Sequence, residues 1–168
     1  MDTPNPLLLT LKINFEAQLY FNTLRQKYFP ADRNFLDAHL MLFHQLPAKE
    51  ESILKDVDDI VKHYEPILLR VTSLAGIGRG VAFKVQSDEL NQLHRQLQTQ
   101  WQHYLIPQDK QRLWPHITIQ NKVTPAENRA SLQQLTPEFK PFEITGTGIG
   151  IWEYKGGPWE FIRDWDFK

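Results

Sequence analysis

A chain of 168 residues, 41% hydrophobic and 23% charged, has the make-up of a single soluble globular domain large enough to bury a real core. Its formal net charge of -1 excludes a protein that coats long nucleic acid by bulk electrostatics, but leaves room for a local basic pocket around one phosphate. With no cysteine, disulfides, thiolate nucleophiles and cysteine zinc sites are all excluded.

The opening MDTPNPLLLTLKIN has no basic n-region, and its apolar run LLLTL is shorter than a signal h-region or a membrane span. A cytoplasmic protein without membrane association is therefore expected. LLLTLKIN itself predicts a first strand. In FEAQLYFNTLRQKYF, Ala17, Phe21, Leu24 and Tyr28 fall at helical spacing. The polar loop PADRN leads into a second strand, FLDAHLMLFHQLP. A stripe of Ile53, Val57, Ile60, Val61 and Tyr64 then predicts an amphipathic helix. PILLRVTSLAGIGRGVAFKVQ predicts two strands joined by a turn near Gly76, Gly78 and Gly80. Ser87 is placed to cap a helix with Leu90, Leu93, Leu97 and Trp101 on one stripe. The strand HITIQNKV follows, and then a helix opened by a capping box of Thr124 and Glu127, with Pro125 at its first position. FEITGTGIGIWEYKGGPWEFIRDWDF ends the chain as two strands around a KGGP turn.

The order strand, helix, histidine-bearing strand, helix, strand runs over residues 6–75 and again over 80–151, with a C-terminal hairpin in 140–168. No linker separates the halves, so we expect one α/β domain of two pseudo-symmetric lobes sharing a cleft. Successive strand residues point to opposite faces. In HITI, Ile117 and Ile119 share one face, expected to be the core, and His116 and Thr118 share the other. In AHLMLFH, strict alternation puts His39, Met41 and Phe43 on one face and Leu40, Leu42 and His44 on the other. His39 is the counterpart of His116, and His44 is expected to play a partly exposed structural role on the Leu40 face.

These two strands resemble the paired motifs of the two-histidine phosphoesterase superfamily, the 2'-5' RNA ligase and cyclic phosphodiesterase group, whose mark is two His-x-Thr/Ser motifs on strands. HITI at His116 matches in full. HLML at His39 matches the histidine and the apolar positions but carries Met41 where the hydroxyl residue belongs, and the closing YKGGPW hairpin is also similar. The resemblance implies a bilobed fold of small, mostly antiparallel sheets with helices outside. It implies metal-independent chemistry on cyclic phosphodiesters, such as RNA or nucleotide 2',3'-cyclic phosphates, with His39 and His116 as general acid and base. Thr118 and Met41 are then the substrate-binding positions, no cofactor is needed, and the partner is an RNA end or a small nucleotide. The alternatives are 2'-5' end joining of RNA, or an RNA- or nucleotide-binding protein whose catalysis weakened with the hydroxyl at position 41. A monomer is the default.

Two imidazoles suit the reaction because histidine exchanges protons near neutrality, so one takes a proton from the entering oxygen while the other gives one to the leaving oxygen. Arg79 and Lys84 stand near enough in sequence to contact phosphate, with solvated surface charge as their plainer role. Trp114, Trp152, Tyr154 and Trp159 are able to stack a base, with packing as theirs. His63, His94 and His103 lie on or beside helices and receive no role. No carboxylate accompanies His39 or His116 at a familiar metal-ligand spacing.

Overall fold

The computed structural model describes residues 5–48 and 50–168. The first four residues of the opening read for a leader lie outside it. The elements are β1 (Leu7–Ile13), α1 (Phe15–Tyr28), β2 (Leu40–Leu46), α2 (Glu51–Val61), β3 (Ile67–Gly76) and β4 (Val81–Gln86), followed by α3 (Asp88–Gln100), β5 (His116–Gln120), α4 (Pro125–Leu135), β6 (Phe142–Tyr154) and β7 (Trp159–Asp166). Every element expected from the sequence forms.

The predicted stripes are the buried ones. Ile53, Val57, Ile60, Val61 and Tyr64 of α2, and Leu90, Leu93, Leu97 and Trp101 along α3, all lie in the core. Their ends carry the expected caps: Ser87 accepts from the amide of Leu90 at 3.1 Å, and Thr124 from that of Glu127 at 3.1 Å. Gly78, at φ +90°, takes the left-handed turn between β3 and β4 that a side chain would resist.

All strand pairings are antiparallel and join into one seven-stranded sheet, in the order β1-β2-β5-β4-β3-β6-β7. β1 also pairs with β6, so the first six strands of that order close on themselves and β7 lies outside the ring. The long strand β6 makes closure possible. Its first residues, Phe142–Gly146, pair with β3, and the remainder pairs with β1 and β7 on opposite edges. The weakest seam lies opposite. β2 and β5 share one residue pair, Leu40 with Ile117.

Candidate active site

Leu40 and Ile117 are both fully buried. Their neighbours therefore point away from the core, and His39, Met41, His116 and Thr118 are each half-buried on the other face of the seam. Extending the Leu40–Ile117 register by one residue sets His39 across from Thr118 and Met41 across from His116. The two histidines are then diagonal neighbours, which in a regular antiparallel pair stand about 7–8 Å apart. All four residues named from the sequence thus lie on one face of the seam. His39 itself lies immediately before β2 rather than within it.

The two imidazoles are held alike. His39 Nδ1 lies 2.9 Å from the carbonyl of Asp37, and His116 Nδ1 lies 2.7 Å from the carbonyl of Trp114. A carbonyl only accepts, so each Nδ1 carries the proton and donates it, which leaves Nε2 as the nitrogen free to exchange protons. Each ring also rests on an indole. His39 packs on Trp159 with centroids 4.6 Å apart, and His116 stacks on Trp114 at 4.2 Å. Two of the four aromatic residues singled out from the sequence are thus supports for the histidines. Trp152 donates its Nε1 proton to Thr10 Oγ1 at 2.9 Å, and Tyr154 is exposed near the hairpin tip.

The electrostatics separate the two rings. Burial pulls His39 down to a pKa of about 4, against the bond to the Asp37 carbonyl, and the positive charges of Arg25, His116 and His44 push the same way. His116 is also lowered, by burial first and then by His44. Arg25 was missed by the sequence reading. It is buried on α1, donates from Nε to Asn34 Oδ1 and from Nη1 to the carbonyl of Thr118, both at 3.1 Å, and covers the Phe29 ring at 4.2 Å. Burial lowers its own pKa to about 10 despite Asp37 nearby. A signal for it existed: Arg25 continues the Ala17, Phe21 spacing of four, which puts a cation on the buried stripe of the helix.

His44 departs from the expected face. Leu9 pairs with Phe43 but Thr10 pairs with Met41, so β2 carries an extra residue at Leu42, and because Leu7 pairs with Leu46 it carries a second between Phe43 and Leu46. Leu42 and Phe43 are both buried, and His44, next after Phe43, turns to the side of Met41 rather than that of Leu40. There its Nδ1 lies 2.9 Å from Asp109 Oδ1. The same carboxylate accepts the backbone amides of His44, at 2.9 and 3.0 Å, and of Gln45, at 2.9 Å. Successive amides of a regular strand point to opposite edges, so their meeting at one carboxylate goes with the second irregularity of β2. Asp109 comes from the short 3-10 turn Pro107–Lys110, and a lone aspartate in a loop gave no sign of this contact in the sequence.

Around these groups, Lys84 pairs directly with His116 in the β4–β5 register and is exposed, while Arg79 sits exposed in the preceding turn. On the other side of His39 a cavity of about 380 Å³ is lined by Phe35, Trp152, Trp159, Phe161 and Lys12. Lys12 is held there by Asp164 at 3.1 Å and Asp166 at 2.6 Å. Among the described residues, no three His, Asp or Glu side chains are grouped so as to hold a metal ion. No described helix is long and apolar enough to cross a membrane.

A closed antiparallel sheet with a pair of like-held histidines at its seam defines a class, and the sequence comparison agrees with it. The 2'-5' RNA ligase superfamily model matches residues 13–158, and the chain belongs to that superfamily of phosphoesterase- and ligase-like enzymes. Among solved structures it is similar to TT0787 of Thermus thermophilus, at 17% identity and a TM-score of 0.68 over 96% of this chain and 97% of that one. It is also similar to E. coli LigT complexed with 3'-AMP, at 17% identity and a TM-score of 0.60 over 99% of both chains. A phosphoesterase structure matches at 15% identity and a TM-score of 0.62, again over 99% of both. At these identities the likeness is one of fold. No curated protein matches the chain.

Proposed function

We propose that this protein opens cyclic phosphodiesters, such as RNA or nucleotide 2',3'-cyclic phosphates, by adding water without a metal ion. The observation that carries this is the matched pair of imidazoles flanking the β2–β5 seam, each donating from Nδ1 to a backbone carbonyl and so leaving Nε2 free to exchange protons. His39, neutral over most of the physiological range, takes the proton of the attacking water as its oxygen bonds to phosphorus. His116 gives its proton to the ribose oxygen as the P–O bond to it breaks, leaving a phosphomonoester. Each such transfer contributes roughly 10²–10⁴-fold. Thr118 donates its hydroxyl to a non-bridging oxygen, and the exposed ammonium of Lys84 draws the anion in. The aromatic cavity beside His39 takes the nucleoside, whose base finds indole faces there. That LigT, of like fold, was crystallised with 3'-AMP is in keeping with a mononucleotide-sized substrate.

The test is turnover of 2',3'-cyclic nucleotides by the purified protein in EDTA, with the product isomer identified. Expected is hydrolysis that falls by at least about 10² in His39→Ala and in His116→Ala, the double variant being little worse than either single one. Near-normal turnover in His39→Ala would sink the paired mechanism. Met41 favours a second reading, a nucleotide-binding protein of weak catalysis, because a thioether is at best a weak acceptor where the superfamily pattern has a donor. Tight binding of 3'-AMP without turnover of any cyclic phosphate would favour it.

A further inference from the structure

The Asp109 carboxylate is the best-shielded acid near the cleft, with a side chain only 1% exposed, while the His44 side chain it holds is 40% exposed. Two backbone amides would account for Asp109 if it only held the irregular end of β2. It makes a third bond as well, to a side chain that the bulge at Leu42 has turned towards Met41. That bond occupies Nδ1 and fixes the ring, so the open edge of the imidazole carries Nε2. Along this face of the strand the order is His39, Met41, His44, and one pleat repeat is about 6.6 Å. An imidazole arm reaches most of the way back over such a step. His44 stands near enough to His39 and His116 for its positive charge to act on both.

We infer that His44, fixed by Asp109, is in its imidazolium form a third donor to the bound phosphate, from Nε2, and supplies the hydrogen bond that Met41 cannot. The inference rests on the phosphoesterase reading of His39 and His116. It gives the first motif a donor from one pleat further along, made reachable by the extra residue at Leu42. Asp109 is a positioning residue that acts through His44.

The test combines binding and a double-mutant cycle. In an NMR titration with inorganic phosphate, the ring nitrogens of His44 are expected to shift along the same saturation curve as those of His116. With 2',3'-cyclic AMP, His44→Ala is expected to lower kcat/KM about tenfold, the cost of one lost hydrogen bond. Adding Met41→Thr to His44→Ala is expected to restore most of that loss, a larger gain than the same change gives in the wild type. His44→Asn keeps an N–H for Asp109 while removing the ring, so it serves if the alanine variant melts early, and the same tenfold loss is expected of it. If His116 follows phosphate and His44 does not, or if the two substitutions simply add, this inference is wrong and the phosphoesterase reading stands. If neither ring responds and the wild type turns over no cyclic phosphate, both fall.

Discussion

His39 and His116 differ mainly in how far burial and neighbouring charge hold them from protonation. The base must be neutral and the acid protonated in the free enzyme, so kcat/KM is bounded below by His39, at about 4, and above by His116, lowered from its ordinary 6.5. The expected profile is a bell centred on the acid side of neutrality. A bound phosphate anion raises both imidazoles, so the optimum for kcat lies at higher pH than that for kcat/KM. A kcat/KM that climbs steadily above pH 7 would contradict this assignment. Of the two hydroxyl positions, Thr118→Val removes a donor and is expected to cost about 10²–10³ in rate. Met41→Thr is expected to raise turnover of the wild type by less than it raises that of the His44→Ala variant, since on our inference His44 already serves that side. A smaller side chain at a half-buried site also leaves a cavity, so turnover should be compared per folded molecule, with thermal stability measured beside it. The histidine pair was legible because alternation is a local property of extended backbone. Arg25 left a trace, as a charge on an apolar stripe. Asp109 left none, because only folding brings its loop against β2.

At the scale of the element, β2 decides the site, and it does so by breaking its own periodicity. Period-two alternation would have sent His44 to the helix-covered side with Leu40. The extra residue at Leu42 sends Phe43 inward instead, onto His94 and Trp101 of the α3 side, with ring centroids 4.5 and 5.2 Å away. Nothing in LMLFHQL marks the bulge, because Leu42 and Phe43 are both apolar and either is able to face the core. β5 is set by its neighbour β4. A Cβ on Gly80 would run into the carbonyl of Gln120, so that glycine is what lets β4 start flush against the end of the His116 strand. Gly80→Ala is expected to destabilise the fold by about 1–3 kcal/mol and to lower turnover by shifting β5. Thermal melting and kcat/KM, measured together, check it. An unchanged melt with normal turnover would mean that the two strands adjust freely.

The whole molecule is a ring of strands joined well at β6 and by one pair at the β2–β5 seam. The candidate site lies where pairing gives out. Three histidines, His39, His94 and His116, have their pKa values lowered, chiefly by burial. His94 is fully interior, with Nε2 donating to the carbonyl of Leu42 at 3.0 Å and Nδ1 without a partner among the described residues. Between the ordinary histidine value of 6.5 and the lowered folded values, the unfolded chain binds more protons than the native one. Stability is therefore complete above about pH 6.5 and declines as pH falls towards 4. Urea unfolding at stepped pH should show the midpoint dropping across that window, and a flat profile would mean the rings are solvated.

The sequence by itself determined the elements, the buried stripes and the two histidine strands, because helical and extended periodicities are set by the nearest few residues. It also placed Met41 at the one position where the motif departs from the superfamily pattern. Ring closure through β6, the turn of His44 to the side of Met41, and the contacts of Arg25 with Thr118 and of Asp109 with His44 were decided only by tertiary structure. Each depends on pairing between strands or loops far apart in the chain, where register is chosen by what the folded core can bury rather than by local spacing.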